Sequence, residues 1–496
     1  MKVLLIYPRY PDTFWSFKHA LKFIYKAATN PPLGLLTVAA LLPAEWEQRL
    51  LDMNVTPLTD SDLQWADYVF ISAMAVQKES VKKVIEHCKK KGVKTVGGGP
   101  LFTSEPENFP DIDYLVLNEA ELTLPNFLKD LDHNTTRHIY SAEGWADLAL
   151  TPIPSWDLVD LRKYVSMCIQ YSRGCPFECD FCDITALYGR KPRTKSKVQL
   201  LDELDSLYLH GWRGNVFIVD DNLIGNQKKL KEEILPAMEE WMVEHRYPFS
   251  FYTQTSINLA DDDELLEMMV RVGFNMIFIG IETPCEESLT ECGKYQNKRR
   301  DLVAAVKKIQ RYGLQVQGGF IVGFDQDPLS IFEKQIEFIQ KSGIVTAMVG
   351  ILNVMRGTKL YQRLASEDRI IRSGSGNNTD LAINFIPKMP RENLINGYKK
   401  LVTTIYSPDY FYSRVREFLK EYRPFPQKTI HLSWRDLAAF FRSIIQIGIL
   451  GEEWKHYWKL LGWSLFTKPR LFPLAVECAI YGFHFRKIFG EYQLES

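Results

Sequence analysis

The sequence predicts an α/β protein in three parts: a doubly wound parallel sheet, a partial (β/α)6 barrel and a mainly helical C-terminal region. Three observations carry this. Short apolar runs alternate with helical periods up to about residue 140. A second series of six such units fills about 190 residues, and regular strands stop beyond Gly357. The 496 residues leave room for about three domains at roughly 150 residues each.

In the first part, expected at 1–145, runs at 3–7, 50–53, 68–72, 94–96 and 114–117 read as strands buried on both faces. Helical segments at 34–42, 79–91 and 122–131 lie between them. A doubly wound sheet binds ligands beyond the carboxyl ends of its strands. The unusual residues fall there: Met74-Ala75-Val76-Gln77, Gly97-Gly98-Gly99-Pro100 and Asn118-Glu119-Ala120-Glu121. A dinucleotide fold is disfavoured, because Pro8-Arg9-Tyr10-Pro11 follows the first strand where Gly-x-Gly-x-x-Gly would be needed.

After Pro152 and Pro154 the second series begins, with strands expected at 167–172, 215–219, 250–254, 276–281, 315–322 and 346–352. Helices at 198–209, 230–243, 262–272, 298–311 and 330–341 separate them. Six units are too few for a closed eight-stranded barrel of about 250 residues, so a partial barrel is expected at 160–360. From 361 to 496 a Gly/Ser/Asn loop at 373–378 precedes helices rich in Trp, Phe, Tyr and basic residues.

Composition excludes several classes. Hydrophobic residues at 46% and charged residues at 24% are ordinary globular usage, so wholesale disorder is out. A formal charge of −1 argues against a bulk nucleic-acid binder. No segment offers the roughly 18–20 apolar residues of a membrane span. The opening MKVLLIYPRYP reads as a first strand and not as a signal peptide. Eight cysteines in so long a chain are no disulfide scaffold. With three of them crowded together they suggest metal chemistry in a reducing cytoplasm.

Those three lie in Gly174-Cys175-Pro176-Phe177-Glu178-Cys179-Asp180-Phe181-Cys182, just after the first strand of the second series. Three thiolates within eight residues can wrap one small inorganic centre. A four-iron cubane needs four ligands, so three cysteines leave one iron open to a molecule offering an amine and a carboxylate. A structural zinc remains an alternative, although Cys168 and His210 lack finger-like spacing as further ligands. Cys88, Cys168, Cys285, Cys292 and Cys478 read as small buried residues, with Cys285 worth testing because it follows Glu282 closely. The histidines form no pair at metal-binding helical spacing.

The Cys-x3-Cys-x2-Cys motif, with Phe181 before its last cysteine, resembles the signature of the radical S-adenosylmethionine (SAM) superfamily. The resemblance implies metal ligation by Cys175, Cys179 and Cys182, a [4Fe–4S] cluster, and SAM on the open iron. Further elements follow in the family's order. Asp220 closes the second barrel strand, and Gly280-Ile281-Glu282-Thr283 resembles the element that offers SAM a polar contact. Gly319-Phe320-Ile321-Val322-Gly323-Phe324-Asp325-Gln326 resembles the element that borders adenine, which implies roles for Gly319 and Ile321. Its final Glu is Gln326 here, with Asp325 just before it, so an acid at that point is in question.

The N-terminal part resembles the Rossmann-like cobalamin-binding domain that precedes many radical SAM barrels. Met74, Gly97, Gly98, Gly99 and Glu119 are the expected cobalamin-side residues. Glycine suits that edge because close backbone approach to a macrocycle tolerates no Cβ. Asn118 stands where relatives often carry Gly, and no Asp-x-His-x-x-Gly is present, so cobalt's lower face is expected to lack a histidine ligand. The aromatic stretch Phe14, Trp15 and Phe17 in the first βα loop either roofs a cavity or plugs a domain junction. Across residues 1–360 the chain resembles the cobalamin-binding radical SAM branch that includes the hopanoid C-2 methylase. Its C-terminal part resembles the helical domain of that branch.

In that C-terminal part, basic residues stand beside aromatics: Trp434-Arg435, Trp454-Lys455, Trp458-Lys459, then Lys468, Arg470, Arg486 and Lys487. Amphipathic helices of this kind can seat a protein peripherally on a membrane, and helices covering one side of a barrel give the same pattern. The resemblance implies C-methylation of an unactivated carbon in an apolar, lipid-like substrate. A substrate hydrogen would be abstracted by a 5′-deoxyadenosyl radical and a methyl group taken from methylcobalamin. It also implies a reductant such as flavodoxin or ferredoxin. Rivals are a cobalamin-dependent cyclase or rearrangement enzyme, an iron–sulfur electron carrier without SAM chemistry, and a zinc-stabilised interaction module. The cavity is expected between the facing C-terminal sheet ends of the two domains.

Overall fold

A computed structural model describes residues 1–424 and 434–493. Two six-stranded parallel sheets dominate it. The first has strand order β2-β1-β3-β4-β5-β6, from β1 (Lys2–Tyr7), β2 (Glu47–Asp52), β3 (Tyr68–Ser72), β4 (Lys94–Gly98), β5 (Tyr114–Val116) and β6 (Ile139–Tyr140). Alternation decides the packing. Leu4 and Ile6 of β1 enter the core on one face, and Val3 and Leu5 enter the core on the other. Each such fully buried side chain contributes roughly 1.5–3 kcal/mol. Five of the strands are legible as apolar runs. The two-residue β6 is too short for any period to show and emerges only by pairing with β5.

The second sheet runs β14-β13-β12-β11-β10-β7, each strand beside its neighbour in sequence. It comprises β7 (Ser166–Ile169), β10 (Gly214–Ile218), β11 (Phe249–Thr255), β12 (Phe274–Glu282), β13 (Gln315–Val322) and β14 (Ala347–Ile351). A separate hairpin joins β8 (Ser172–Arg173) to β9 (Arg193–Thr194). β7 and β14 are not paired with each other, so the barrel is open, as six units require.

The C-terminal helices close that structure on one side. Tyr406 Oη lies 2.8 Å from the carbonyl oxygen of Ala347 and 3.2 Å from its amide, and Tyr398 donates to Val349 O at 3.1 Å. The edge of β14 therefore meets side-chain hydroxyls where another strand would otherwise pair. Helix Arg391–Tyr406 lies on helix Ile331–Ser342, and helix Phe472–Phe489 reaches the N-terminal loop, where Phe14 stacks on Phe485 with centroids 4.3 Å apart. Residues 425–433 and 494–496, within the expected helical part, lie outside the described residues, as does the side chain of Arg435. Among the described residues no helix is long and apolar enough to cross a membrane.

Candidate functional site

The cysteine loop is shaped by what precedes it. Asp220, fully buried beyond β10, accepts from Tyr171 N at 2.8 Å and Ser172 Oγ at 2.5 Å. Its neighbour Asp221 accepts from Gly174 N at 2.8 Å. Burial pushes these acids up, to about 6 and about 7. Gly174 turns the chain at φ +94°, and any Cβ there would press on the carbonyls of Tyr188, Gly189 and Lys191 at 3.0–3.1 Å. Only glycine relieves both constraints. The loop is then pinned by Cys175 N to Gly189 O (3.2 Å), Cys182 N to Cys179 O (3.2 Å) and Asp180 N to Cys292 O (3.0 Å).

Cys175, Cys179 and Cys182 are free and half-buried. Burial pushes each thiol upward, so ionisation needs a strong local cation, which a metal supplies. Among the described residues no three His, Cys, Asp or Glu side chains converge closely enough for a single metal ion. A structural zinc gathers four ligands on one atom, whereas an iron–sulfur cluster takes each thiolate on a separate iron. The donor set fits the cluster.

Next to the cysteines lies Glu282, held at φ +64° where the β12–β13 register slips. Its Oε1 is 2.7 Å from Lys294 Nζ. Burial pulls the Lys294 ammonium down, but the negative charge of Glu282 and the neighbouring Cys179 outweighs it and leaves the group raised. Gly280 leaves room for this pair, since an added Cβ would meet both Glu282 Oε1 and Lys294 Nζ and push those side-chain ends aside. Asn297 Nδ2 donates to Gly280 O and Ile281 O at 3.1 and 3.0 Å. Gly319 lies opposite the Phe278 ring. The Ile321 carbonyl accepts from Gln335 Nε2 at 2.8 Å, and Phe181 packs 6.1 Å from Phe324. Asp325 is not available to a nucleoside. Burial raises it, yet hydrogen bonds from Arg369 and Arg363 hold it at about 2.

A cavity of about 2730 Å³ joins the two domains. Its wall takes Met74, Gly98 and Gly99 from the first sheet's C-terminal edge, and Arg173 and Asp183 from either side of the cysteine loop. It does not stop at the facing sheet ends, as the sequence suggests. It continues through the barrel, lined on alternate strand positions by Phe217, Tyr252, Met276, Phe278, Gln317 and Met348. It ends among Leu437, Phe440 and Phe472 of the C-terminal helices. The first-loop aromatics Phe14, Trp15 and Phe17 all border the cavity: Phe14 is fully buried and stacked on Phe485, while Trp15 stands edge-on to Phe278 at 5.5 Å.

Three of the expected cofactor residues make contacts within the protein. Gly97 faces Phe102 and Ile112 in the core behind the sheet, because alternation turns it away from the neighbouring Gly98. Asp220 has its carboxylate enclosed by the strand it anchors. Glu119 borders the cavity, but its carboxylate is engaged by Arg173 (2.8 Å), Arg193 (3.0 Å) and Ala146 N (2.7 Å). Sequence reasoning missed Arg173, Arg193, Asp221 and Lys294. Only Arg173 left a signal, its place beside Gly174-Cys175, and its partner lies 54 residues away.

Family models match three segments: a B12 binding domain over residues 27–128, the radical SAM superfamily over 169–339 and a domain of unknown function, DUF4070, over 358–496. The chain is 41% identical over 490 residues to the uncharacterized methyltransferase sll1242 of Synechocystis, covering 98% of this chain and 91% of that protein. It is 33% identical over 470 residues to the hopanoid C-2 methylase of Rhodopseudomonas palustris, covering 92% and 88%. Its fold matches that of the cobalamin-dependent SAM radical enzyme OxsB, with TM-score 0.62 at 14% identity over 100% of this chain and 80% of that one. Two half-sites on facing sheet edges, one built for a macrocycle and one for a cluster with SAM, thus coincide with what the relatives share: the chain belongs to the B12-binding radical SAM methyltransferase family with a DUF4070 C-terminal domain, and its cofactors are a [4Fe–4S] cluster, SAM and cobalamin.

Proposed function

We propose that the protein transfers a methyl group to an unactivated carbon of an apolar, lipid-class substrate. The observation that carries this reading is the continuous cavity that joins the first sheet's ligand edge to the flanks of the cysteine loop and runs on into an aromatic- and methionine-lined barrel. When bound, the cluster with SAM supplies a hydrogen-abstracting radical, and cobalamin supplies the methyl group. The chain's part is positioning. Trp15, Phe217, Phe278 and Tyr252 offer flat apolar walls, and Gln317 and Gln254 are polar points among them. Such walls exclude water and hold one C–H near the radical, which matters because a primary radical reacts with what lies nearest. The relative described as a hopanoid C-2 methylase supports a polycyclic lipid as the first substrate to try.

The test is anaerobic reconstitution with iron, sulfide and hydroxocobalamin, followed by incubation with SAM, reductant and a hopanoid-containing lipid extract. A product heavier by one methylene unit, formed with 5′-deoxyadenosine, is expected. A product of altered skeleton without that gain would replace methylation with cyclisation or rearrangement. Cluster without any 5′-deoxyadenosine would leave an electron carrier.

A further inference from the structure

The far end of the cavity emerges beside an apolar surface that the methyl-transfer reading does not use. On the helical stretch from Trp434 to Ile449, the exposed side chains Trp434, Leu437, Phe441, Ile445 and Ile449 recur every three or four residues, which places them on one face. Trp434 is 88% exposed, Phe441 62% and Ile449 64%. Helix Trp454–Thr467 adds Trp454, Trp458, Leu465 and Phe466, the last 87% exposed. The two stretches are tied by Trp458 Nε1 donating to Gly448 O at 2.9 Å. So long a run of large apolar side chains in water marks an interaction site.

Charge identifies the occupant. The whole chain is near neutral, but residues 434–470 carry six Lys and Arg against three acidic residues. Lys455, Lys459 and Arg470 are exposed beside the apolar residues. Tryptophan with basic residues around an aliphatic centre is the composition of a surface that lies in a bilayer interface: the indoles sit at headgroup level and the cations meet anionic headgroups. A protein partner would not need this pairing of Trp with a positive excess. Continuity with the site points the same way. Leu437 belongs both to the exposed stripe and to the cavity wall, so an apolar molecule leaving the bilayer at this face meets the barrel mouth without crossing water. Of the basic residues expected at such a surface, Arg486 is engaged among the helices, whereas Lys487 is exposed. Arg486 lies over Phe411 and Tyr412 and pairs with Glu453, and Lys487 lies over Phe483.

We propose that the face formed by helices Trp434–Ser443 and Trp454–Thr467 docks the protein on an anionic phospholipid bilayer, with the lower mouth of the barrel against the lipid. The proposal takes its purpose from the lipid-substrate reading, but its test is independent of it. The full chain, reconstituted anaerobically, is floated with phosphatidylcholine vesicles with and without phosphatidylglycerol, at low and high salt. Co-flotation with the anionic vesicles, reduced by salt, is expected. The Phe441→Glu/Phe466→Glu variant should weaken it about tenfold or more, and Lys455→Glu/Lys459→Glu should weaken binding to anionic vesicles only. Both pairs are surface-exposed, and unchanged melting temperature and cluster absorbance would show that the fold is retained. Wild-type protein that stays with the soluble fraction for every vesicle overturns the proposal. So does a wild-type dimer that the same substitutions split, since the face would then belong to a second copy. Vesicle binding without methylated lipid removes the substrate reading and leaves the docking face standing. Methylation of detergent-dispersed lipid without vesicle binding does the reverse.

Discussion

Arg173 reaches across the domain boundary to Glu119, with Nη1 2.8 Å from Oε1, and its second amino group is 2.8 Å from Glu121 Oε1. Both carboxylates are almost wholly buried. The residue next to the cysteine loop is therefore bonded to the turn at the first sheet's ligand edge. This sets the separation of the two half-sites with two charge-assisted contacts.

Replacing Arg173 with Met should leave two buried carboxylates short of a partner. One-sided removal of a buried pair costs about 3–5 kcal/mol, softened at Glu119 because Arg193 remains. Denaturant titration of the apo protein measures it. A change below roughly 1 kcal/mol would mean that the contact does not hold the domains.

Asp325 provides a pH signature. Its folded pKa of about 2 lies below the unfolded value of about 3.9, so its contribution is complete above the unfolded value and is lost as pH falls through the folded one. At neutral pH a shift of this size contributes about 2–3 kcal/mol. Asp325→Asn should abolish that part of the acid dependence between roughly pH 5 and 2. An unchanged stability-versus-pH curve refutes the clamp with Arg363 and Arg369.

Alanine at Cys175, Cys179 or Cys182 should each strip the iron and end 5′-deoxyadenosine formation, with little change in the secondary-structure spectrum. Alanine at the buried Cys88, which lies in the core of the first domain, should keep the iron. Iron retained by any of the first three variants contradicts the ligand assignment.

Gly280→Ala should displace the Glu282–Lys294 pair, at a cost of about 1–3 kcal/mol and a roughly tenfold or greater loss in SAM affinity by equilibrium dialysis. Gly34→Ala, where an added Cβ meets nothing within 4 Å, serves as the control. Equal SAM affinity in the two variants would exclude the pair from SAM binding.

Neighbouring aromatics should behave differently. Trp15→Ala opens the cavity wall, so SAM cleavage should continue while methylated product per cleavage falls about tenfold. Phe14→Ala removes a stacked core ring and should cost about 3–5 kcal/mol in stability instead. Unaltered coupling in the first variant would take Trp15 out of the substrate wall.

Both sheets, their helices and the three cysteines could be read from the sequence, because buried strands, amphipathic helices and a thiol motif are each written within a few residues. The pairing of basic residues with Trp434, Trp454 and Trp458 was legible in the sequence, though not whether a neighbour would cover them. Folding alone decided that Gly98 faces the cavity while Gly97 faces the core, that Asp220 anchors a strand, and that Arg173 meets Glu119. Side-chain direction and long-range pairing depend on how distant segments converge, and no local pattern encodes that. The hollow barrel belongs to the same class: its lining comes a few residues at a time from six strands, and only their assembly shows that the space between them stays open.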